Sequence, residues 1–300
     1  MWNDALPRNG ITNWKTYYAV KGAATTDSWQ TWMKPAGCAW IYILMLASGG
    51  GGGRSNNGAL TVAAGGGGAG GNTRFLIPAF TVPDILYVRP GTGGLGATTV
   101  GSGAAGVTSY VAMQPNTTVA NSLIAQGGGN GANGGGINNP GTGGSVAITT
   151  PAIQCLGLFT TSPGITASVG ASVANGSGIN TTTTSLIITT PGTGGGNGTG
   201  AGGDIINAVV FPTIVGGAGT TGVSGRNGFQ LGAMWTPGLK SFPMIFSGGS
   251  GGGGHTTGTA GDGGNASYGG GGGGGGSCSG AGTSGNGGNG GDGIIFIGAF

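Results

Sequence analysis

The chain has 300 residues, including 80 Gly and 13 Pro, with only 5% charged residues and a formal net charge of +3. Typical usage is roughly 7% Gly and about 25% charged, and an interior Gly costs a helix about 1 kcal/mol against Ala, so a helical protein is excluded. One His and six acidic residues, all Asp, leave few groups for acid–base catalysis. The small basic excess makes no nucleic-acid footprint, and 37% hydrophobic residues at low net charge do not fit charge-driven disorder.

Residues 1–35 differ from the rest. They hold Trp2, Trp14, Trp29 and Trp32, together with Arg8, Lys15, Lys21 and Lys34, but only Gly10 and Gly22 as glycines. Two readings stand. The stretch is a strand or two packed on the body that follows, or residues 1–30 form an attachment segment ahead of a domain spanning 31–300. In the second reading Trp2, Trp14 and Trp29 are the docking candidates, since Trp is a favoured anchor at interfaces. No basic n-region and apolar h-region opens the chain, so no signal peptide is expected.

Next comes Cys38-Ala39-Trp40-Ile41-Tyr42-Ile43-Leu44-Met45-Leu46, a strand-like run too short to span a membrane. Gly49 to Gly53 follow. Further strand-like runs are Phe75–Val82, Ile85–Val88, Ser109–Met113, Ser122–Ala125, Val146–Thr149, Ser185–Thr189, Ile205–Phe211, Met244–Phe246 and Ile294–Ile297. Most are β-branched or aromatic and bounded by Gly, Pro, Asn or Asp. The first and last runs read as two hems of one β-structure, between which Gly-rich excursions leave and return. Repetition supports this. Pro-Gly-Thr-Gly-Gly recurs at Pro90, Pro140 and Pro191, and Ser-Leu-Ile leads into a Gly tract at both Ser122 and Ser185.

Collagen would order such a chain, but it needs Gly at every third position. The alternative is a bundle of polyglycine II helices, extended and three residues per turn, without internal hydrogen bonds. Lacking Cβ atoms, such strands can approach closely enough to bond one another. The tract Gly285–Gly293 keeps Asn286, Asn289 and Asp292 at every third position, as an outer helix with one wet face requires. Gly269–Gly276 has no polar residue and reads as an inner helix, about 25 Å long.

Chemistry-bearing constellations are sparse. Cys38, Cys155 and Cys278 are too widely spaced for a zinc pattern; Cys38 and Cys155 sit in apolar runs and are expected as buried free thiols. His255 has no second His or nearby acid, and reads as a loop residue or surface contact. The six Asp are scattered, and the many G-x-G-x-x-G matches have no following helix. No enzyme activity, cofactor or metal is expected.

The order of elements resembles the glycine-rich domain of bacteriophage tail and fibre proteins. The carrying residues are Trp32-Met33-Lys34-Pro35-Ala36-Gly37 before the first apolar strand, Gly49–Gly53, Ala63–Gly71, Ile85–Val88, Ser109-Tyr110, the long Gly tracts, and Gly291-Asp292-Gly293 before the last strand. The layout is also similar to the glycine-rich ectodomain of anaplastic lymphoma kinase and to polyglycine adhesins of phage fibre tips. The resemblance implies an all-β fold with almost no helix: a TNF-like, jelly-roll β-sandwich with an inserted polyglycine II bundle, assembling as a homotrimer. It implies a virion protein on the tail or capsid surface, not a nucleic-acid binder. Its expected role is a tail fibre or fibre-tip subunit in host attachment. Residues 1–35 would dock on other virion proteins, and loops carrying Trp235, His255 and Tyr268, remote from residues 1–35, would meet a surface glycan or outer-membrane protein. With only residues 1–30 ahead of the domain, a small appendage or separate tip subunit is expected. The alternative is a capsid decoration, head fibre or connector with a purely structural role.

Overall fold

The computed structural model describes residues 13–21, 28–56, 63–118, 122–132, 140–145, 158–162, 170, 175–180, 187–207, 211–231 and 244–300. Among these the chain is all-β, without an α-helix. The strands are β1 (Asn13–Tyr18), β2 (Gln30–Met33), β3 (Trp40–Leu46), β4 (Asn72–Pro78), β5 (Ile85–Arg89), β6 (Ser109–Ala112), β7 (Ser122–Gln126) and β8 (Leu158–Ser162). They continue as β9 (Ile179–Asn180), β10 (Ile187–Thr189), β11 (Ile205–Asn207), β12 (Phe211–Ile214), β13 (Gln230–Leu231), β14 (Met244–Phe246) and β15 (Ile294–Ala299). The two hems do meet: β15 pairs antiparallel with β3, from Ile294 opposite Leu46 to Ala299 opposite Ile41.

The strands form sheets β1-β15-β3-β4-β8, β2-β5-β6-β7, β10-β14-β13 and β12-β11-β9. Alternation along each strand stacks them. Ile41, Ile43 and Met45 of β3 share one core with Trp32, Leu86, Val88, Val111 and Ile124 of the four-stranded sheet. Leu44 and Leu46 point the other way and pack with Phe246, Ile294 and Phe296. Ile245, next to Phe246, faces a third cluster with Ile188, Ile205 and Ile214.

The structure redraws two expected strands. The run Phe75–Val82 starts earlier, at Asn72, and stops at Pro78, where a single 3-10 turn, Ala79–Thr81, takes over. Pro78 and Pro83 bracket that turn, and Pro is a poor sheet residue. The run Ile205–Phe211 is two antiparallel strands, with Ile205 opposite Ile214 and Asn207 opposite Phe211. Cys38 is only half-buried, at the border of the main core, whereas Cys278 is fully buried. Val146–Thr149 and Cys155 lie outside the described residues.

Beyond the sheets the same chain continues as a glycine lattice. Strands β3, β5, β7, β10, β12 and β14 run out into Gly-rich segments, while β4, β6, β9, β11, β13 and β15 run in from them. Pairing persists as the side-chain period changes from two to three. Beyond Leu46 and Ile294, Gly49 and Gly52 donate to the carbonyls of Gly291 and Gly288.

Residues 270–276 show why Gly is needed. Gly271 and Gly274 donate to Thr190 and Thr193, Gly272 and Gly275 to Gly50 and Gly53, and Gly273 and Gly276 to Gly264 and Gly261. Their carbonyls accept by the same rule: Gly271 and Gly274 from Gly249 and Gly252, Gly272 and Gly275 from Gly67 and Ala64, Gly273 and Gly276 from Gly288 and Gly285. Three residues per turn thus reach six surrounding segments, the bonding of a polyglycine II inner helix. A Cβ on Gly272 would sit on the carbonyl of Gly288. Ordering a backbone residue costs about 1–2 kcal/mol, and a hydrogen bond returns about 0.5–1.5 kcal/mol net. The lattice alone therefore falls short by about half a kcal/mol per residue, and burial in the stacked sheets supplies the difference.

Outer segments solve a different problem, because one direction has no neighbouring backbone. Side-chain oxygens of the adjacent segment fill in. Asn265 accepts from the amide of Asn289 at 2.8 Å, Asn289 from that of Gly96 at 2.8 Å, and Asp292 from that of Gly93 at 2.9 Å. This agrees with the wet face expected of Gly285–Gly293.

Candidate functional site

The lattice ends in a tip remote from the sheets. Segment 247–254 runs out from β14 and turns at His255; segment 269–277 turns at Cys278 and returns as 283–293. Backbone bridges tie these turns together: Thr221 with His255, His255 with Cys278, Thr259 with Thr283, and Asn197 with Ser277. The surface here is rich in hydroxyls, with Thr220, Thr221, Thr256, Thr257, Thr259 and Thr283 all exposed, and Val223 exposed beside them in sequence.

Two features of the tip are unusual. Thr220 has φ of +66°, and it is the only non-Gly residue with positive φ among those described. A β-branched residue avoids that region, and such strain is concentrated at functional loops. The second is the ring of His255. Its Nδ1 accepts the amides of Thr257 at 3.1 Å and Gly258 at 2.8 Å. On another side of the tip, Arg54 donates from one guanidinium nitrogen to the Thr98 carbonyl and, at 2.9 Å, to Asn286 Oδ1, while its Nε is buried without a partner.

Tyr268 is elsewhere. It follows segment 260–267, which returns from the tip, so it stands at the root of the lattice rather than in a distal loop. Its ring lies 5.9 Å from that of Tyr18 and 6.3 Å from that of Phe246. Burial holds its hydroxyl above the ordinary tyrosine value, helped by Tyr18 and Asp292 and opposed by Lys21. Lys21 bonds Asp292 at 3.2 Å, joining the N-terminal region to the same root. Trp235 lies outside the described residues.

Of the three docking candidates, Trp2 is outside the described residues. Trp14, on β1, stacks on Tyr42 at 6.1 Å and on Phe296 at 6.2 Å. These rings close over Gly298, which pairs with both Trp14 and Tyr42. Trp29 packs on Tyr110 at 6.0 Å. Between them sits the guanidinium of Arg89, 5.4 Å from the Trp29 ring and 5.0 Å from the Tyr110 ring. Burial lowers the Arg89 pKa from its usual value, with Tyr110 opposing. Trp14 and Trp29 are thus both engaged inside the fold while remaining half-exposed.

The end of the sheets opposite the lattice carries exposed apolar side chains that sequence reasoning missed. Phe80 is 86% and Met33 68% exposed, and Ile85 and Trp40 are exposed as well. Met33 is the cross-strand partner of Ile85, and Trp40 that of Pro78. Phe80 is held out on a clamped turn. Lys34 Nζ donates to the carbonyls of Ala79 at 3.2 Å and Val82 at 2.9 Å, and meets Asp84 at 2.9 Å. Pro78 and Pro83 were the available signal for this turn.

A family model described as a Glycine-rich domain matches residues 24–300. The chain belongs to this family. The match begins at residue 24 and so takes in Trp29, ahead of the boundary at residue 31, and β1 before it is the edge strand of the main sheet. A comparison with curated proteins gives no match. Within this glycine-rich domain, among the described residues, no group of three or more His, Cys, Asp and Glu is placed to hold a metal ion, and no helix is long and apolar enough to cross a membrane.

Proposed function

We propose that this glycine-rich domain is a non-enzymatic virion protein of a bacteriophage, a tail fibre or fibre-tip subunit acting in attachment to the host surface. The observation that carries the reading is the polarity of the molecule. A stiff lattice supports a polar, threonine-rich tip, while the opposite end presents apolar side chains on a clamped turn. A preorganised tip lowers the entropy cost of binding, and uncharged hydroxyls suit a surface glycan or the polar loops of an outer-membrane protein. In this reading the stacked sheets include a TNF-like jelly-roll sandwich and the chain forms a homotrimer, as the resemblance implies. Residues 1–35, together with the exposed Phe80, dock on other virion proteins.

The exposed Phe80 and Met33 also favour a second reading, a capsid decoration, head fibre or connector whose contacts are all with virion subunits. Labelled antibody against the chain separates the two by place: tail end for the first, shell or neck for the second. Exchange of residues 247–290 for those of a family member from a phage with a different host range separates them by role. The attachment reading expects adsorption to follow the exchanged segment. Unchanged adsorption with normal assembly overturns it in favour of the structural reading.

A further inference from the structure

We propose, resting on the attachment reading above, that a row of asparagine side chains on the flank of the lattice is a binding site for a neutral polysaccharide chain of the host surface. Segments 224–228, 262–266 and 286–290 run side by side in the same direction. Gly225 and Gly228 donate to the carbonyls of Asp262 and Asn265 at 2.7 Å, and Gly263 and Ala266 to those of Asn286 and Asn289 at 2.8 Å. That register brings Asn227, Asn265 and Asn289 into one row, all exposed. One turn earlier, Ser224, Asp262 and Asn286 make a second row, about 9 Å away at 3.1 Å per residue.

Within the Asn row the side chains are bonded alike. Asn227 Oδ1 accepts from the Asn265 amide at 2.9 Å, Asn265 Oδ1 from the Asn289 amide at 2.8 Å, and Asn289 Oδ1 from the Gly96 amide at 2.8 Å. An N–H partner fixes which end of each side-chain amide is oxygen. Each Nδ2 is the end left over, and among the described residues none of the three has a hydrogen-bond partner. The row therefore sets pairs of N–H donors on an exposed face, stepped at the spacing of hydrogen-bonded backbones, about 4.8 Å. The lattice does not require Asn for this. It requires an oxygen over each solvent-side amide, and other residue types supply one. Ser224 Oγ accepts from the Asp262 amide at 3.2 Å, Asp262 Oδ1 from the Asn286 amide at 2.6 Å, and Asp292 Oδ1 from the Gly93 amide at 2.9 Å. What Asn adds is the donor pair.

The free groups define the ligand. They offer hydrogen atoms only, so the ligand brings acceptors, repeated at about the step of the row. A sugar polymer does this, because each pyranose unit spans a similar length and carries hydroxyl and ring oxygens. The charges next to the row in sequence are Arg226 and, one turn away, Asp262. With one of each sign, the local field favours neither a polyanion nor a polycation, and a nucleic acid needs several Lys or Arg on its phosphates. The row itself holds no aromatic anchor of the kind that dominates protein–protein contacts. Backbone bonds hold each segment and an Oδ1 bond holds each side chain, so the donors are in place before the ligand arrives and little entropy is lost on binding.

Affinity electrophoresis of the full-length chain through native gels containing dextran, laminarin or galactomannan tests this, with alginate as the charged control. Amide donors reach hydroxyl oxygens without selecting one stereochemistry, so at least one neutral polymer should retard the wild type and alginate should not. Asn265→Asp keeps the oxygen that holds the Asn289 amide and removes the central donor pair. It should weaken the retardation at least tenfold with Tm unchanged. Should that variant fail to fold, Asn289→Asp makes the same comparison on the next segment. No retardation by any of the neutral polymers overturns the proposal, as does equal retardation by alginate, or retardation that the Asp variants leave unchanged. The two readings fail separately. If exchange of residues 247–290 redirects adsorption while no neutral polymer binds, the sugar site falls and attachment stands. If polymers bind through the row while the exchange leaves adsorption unchanged, attachment falls and the row remains a sugar site.

Discussion

The sheets and the lattice are made from the same runs of chain but are held together in opposite ways. In the sheets, side chains do the packing. Ile43 and Met45 face one core and Leu44 and Leu46 another, so apolar residues of similar volume can replace one another at modest cost. In the lattice, backbone packs on backbone. Gly272 touches its neighbours through peptide groups alone, and there is no side-chain volume to exchange. A sheet position is chosen by polarity and rough size, whereas an inner lattice position is chosen by the absence of an atom.

The sharpest way to break this contrast is Gly272→Val. A Cβ there overlaps the carbonyl of Gly288, and the displaced backbone belongs to a segment bonded on several sides. The expected loss exceeds about 5 kcal/mol, in the range reserved for severe defects, so the variant should give no soluble folded protein. A soluble Gly272→Val chain with wild-type Tm would show that the lattice yields as a sheet does.

Phe75→Ala is the matching test in the sheets. Phe75 is fully buried in the main core, and such truncations cost about 3–5 kcal/mol. Near-UV circular dichroism should report the sheets, and exchange at Gly271–Gly276 the lattice. One shared transition is expected, because the backbone cost of the lattice exceeds its hydrogen-bond return without the sheets. Two separated transitions would make it a self-supporting unit.

Ser250→Ala probes the seam between the two modes. Ser250 is buried in a lattice segment; its hydroxyl accepts from the Arg226 amide at 2.7 Å and donates to the Val215 carbonyl at 2.9 Å. Removing it leaves two backbone groups short of a partner, a loss of about 1–3 kcal/mol, measurable by thermal melting against wild type. A gain in Tm would mean that small apolar side chains suit such positions better than Ser.

Much of this organisation was legible. The period-three placement of Asn286, Asn289 and Asp292 marks an outer segment, and the polar-free Gly269–Gly276 an inner one, because neighbour number dictates where a side chain can stand. The strands were legible where apolar runs are long, as at Trp40–Leu46. Within residues 1–35 a strand or two was one of two readings, and Asn13–Tyr18 and Gln30–Met33 agree with it, but with half their residues polar their bounds could not be read; Leu158–Ser162 was missed, where Thr and Ser dilute the signal. Their partners lie far away in sequence: β1 is fixed by β15 and β2 by β5. The tip was the least legible region. His255 stood out as the lone His, but the strained backbone of Thr220 has no sequence signature, and Tyr268 was assigned to the wrong end because composition does not say which turns of an excursion are distal.

Tyr17 tests the sheets at alkaline pH. Burial raises its pKa from 10.0 to about 12, and its hydroxyl donates to the Thr31 carbonyl at 3.2 Å, tying β1 to β2. The folded state holds this proton more tightly than the unfolded chain does. Its stabilising contribution is therefore fully present below about pH 10 and is lost as pH climbs through about 12. Tyr17→Phe should flatten the fall in stability across that window, measured by urea denaturation at pH 9 and 11. An unchanged slope would assign the alkaline loss to other tyrosines, Tyr42 first, since burial raises it as well.

The smallest expected effect on stability belongs to Phe80→Ser. Phe80 is 86% exposed, so truncation removes almost no buried surface. The turn beneath is held by Lys34 and by the Thr81 hydroxyl on the Pro78 carbonyl at 2.7 Å, none of which uses the Phe80 ring. Stability should stay within about 0.5 kcal/mol of wild type, as for an ordinary surface change. If this end docks on a virion partner, incorporation into particles should nevertheless fall steeply, because an aromatic anchor held in place in advance contributes most to such contacts. Melting and incorporation measured on the same variant therefore read two different things. A large drop in Tm would mean that Phe80 packs on the turn and is part of the fold. Unchanged Tm with unchanged incorporation would remove the base from the proposed docking surface and leave residues 1–32 to carry it.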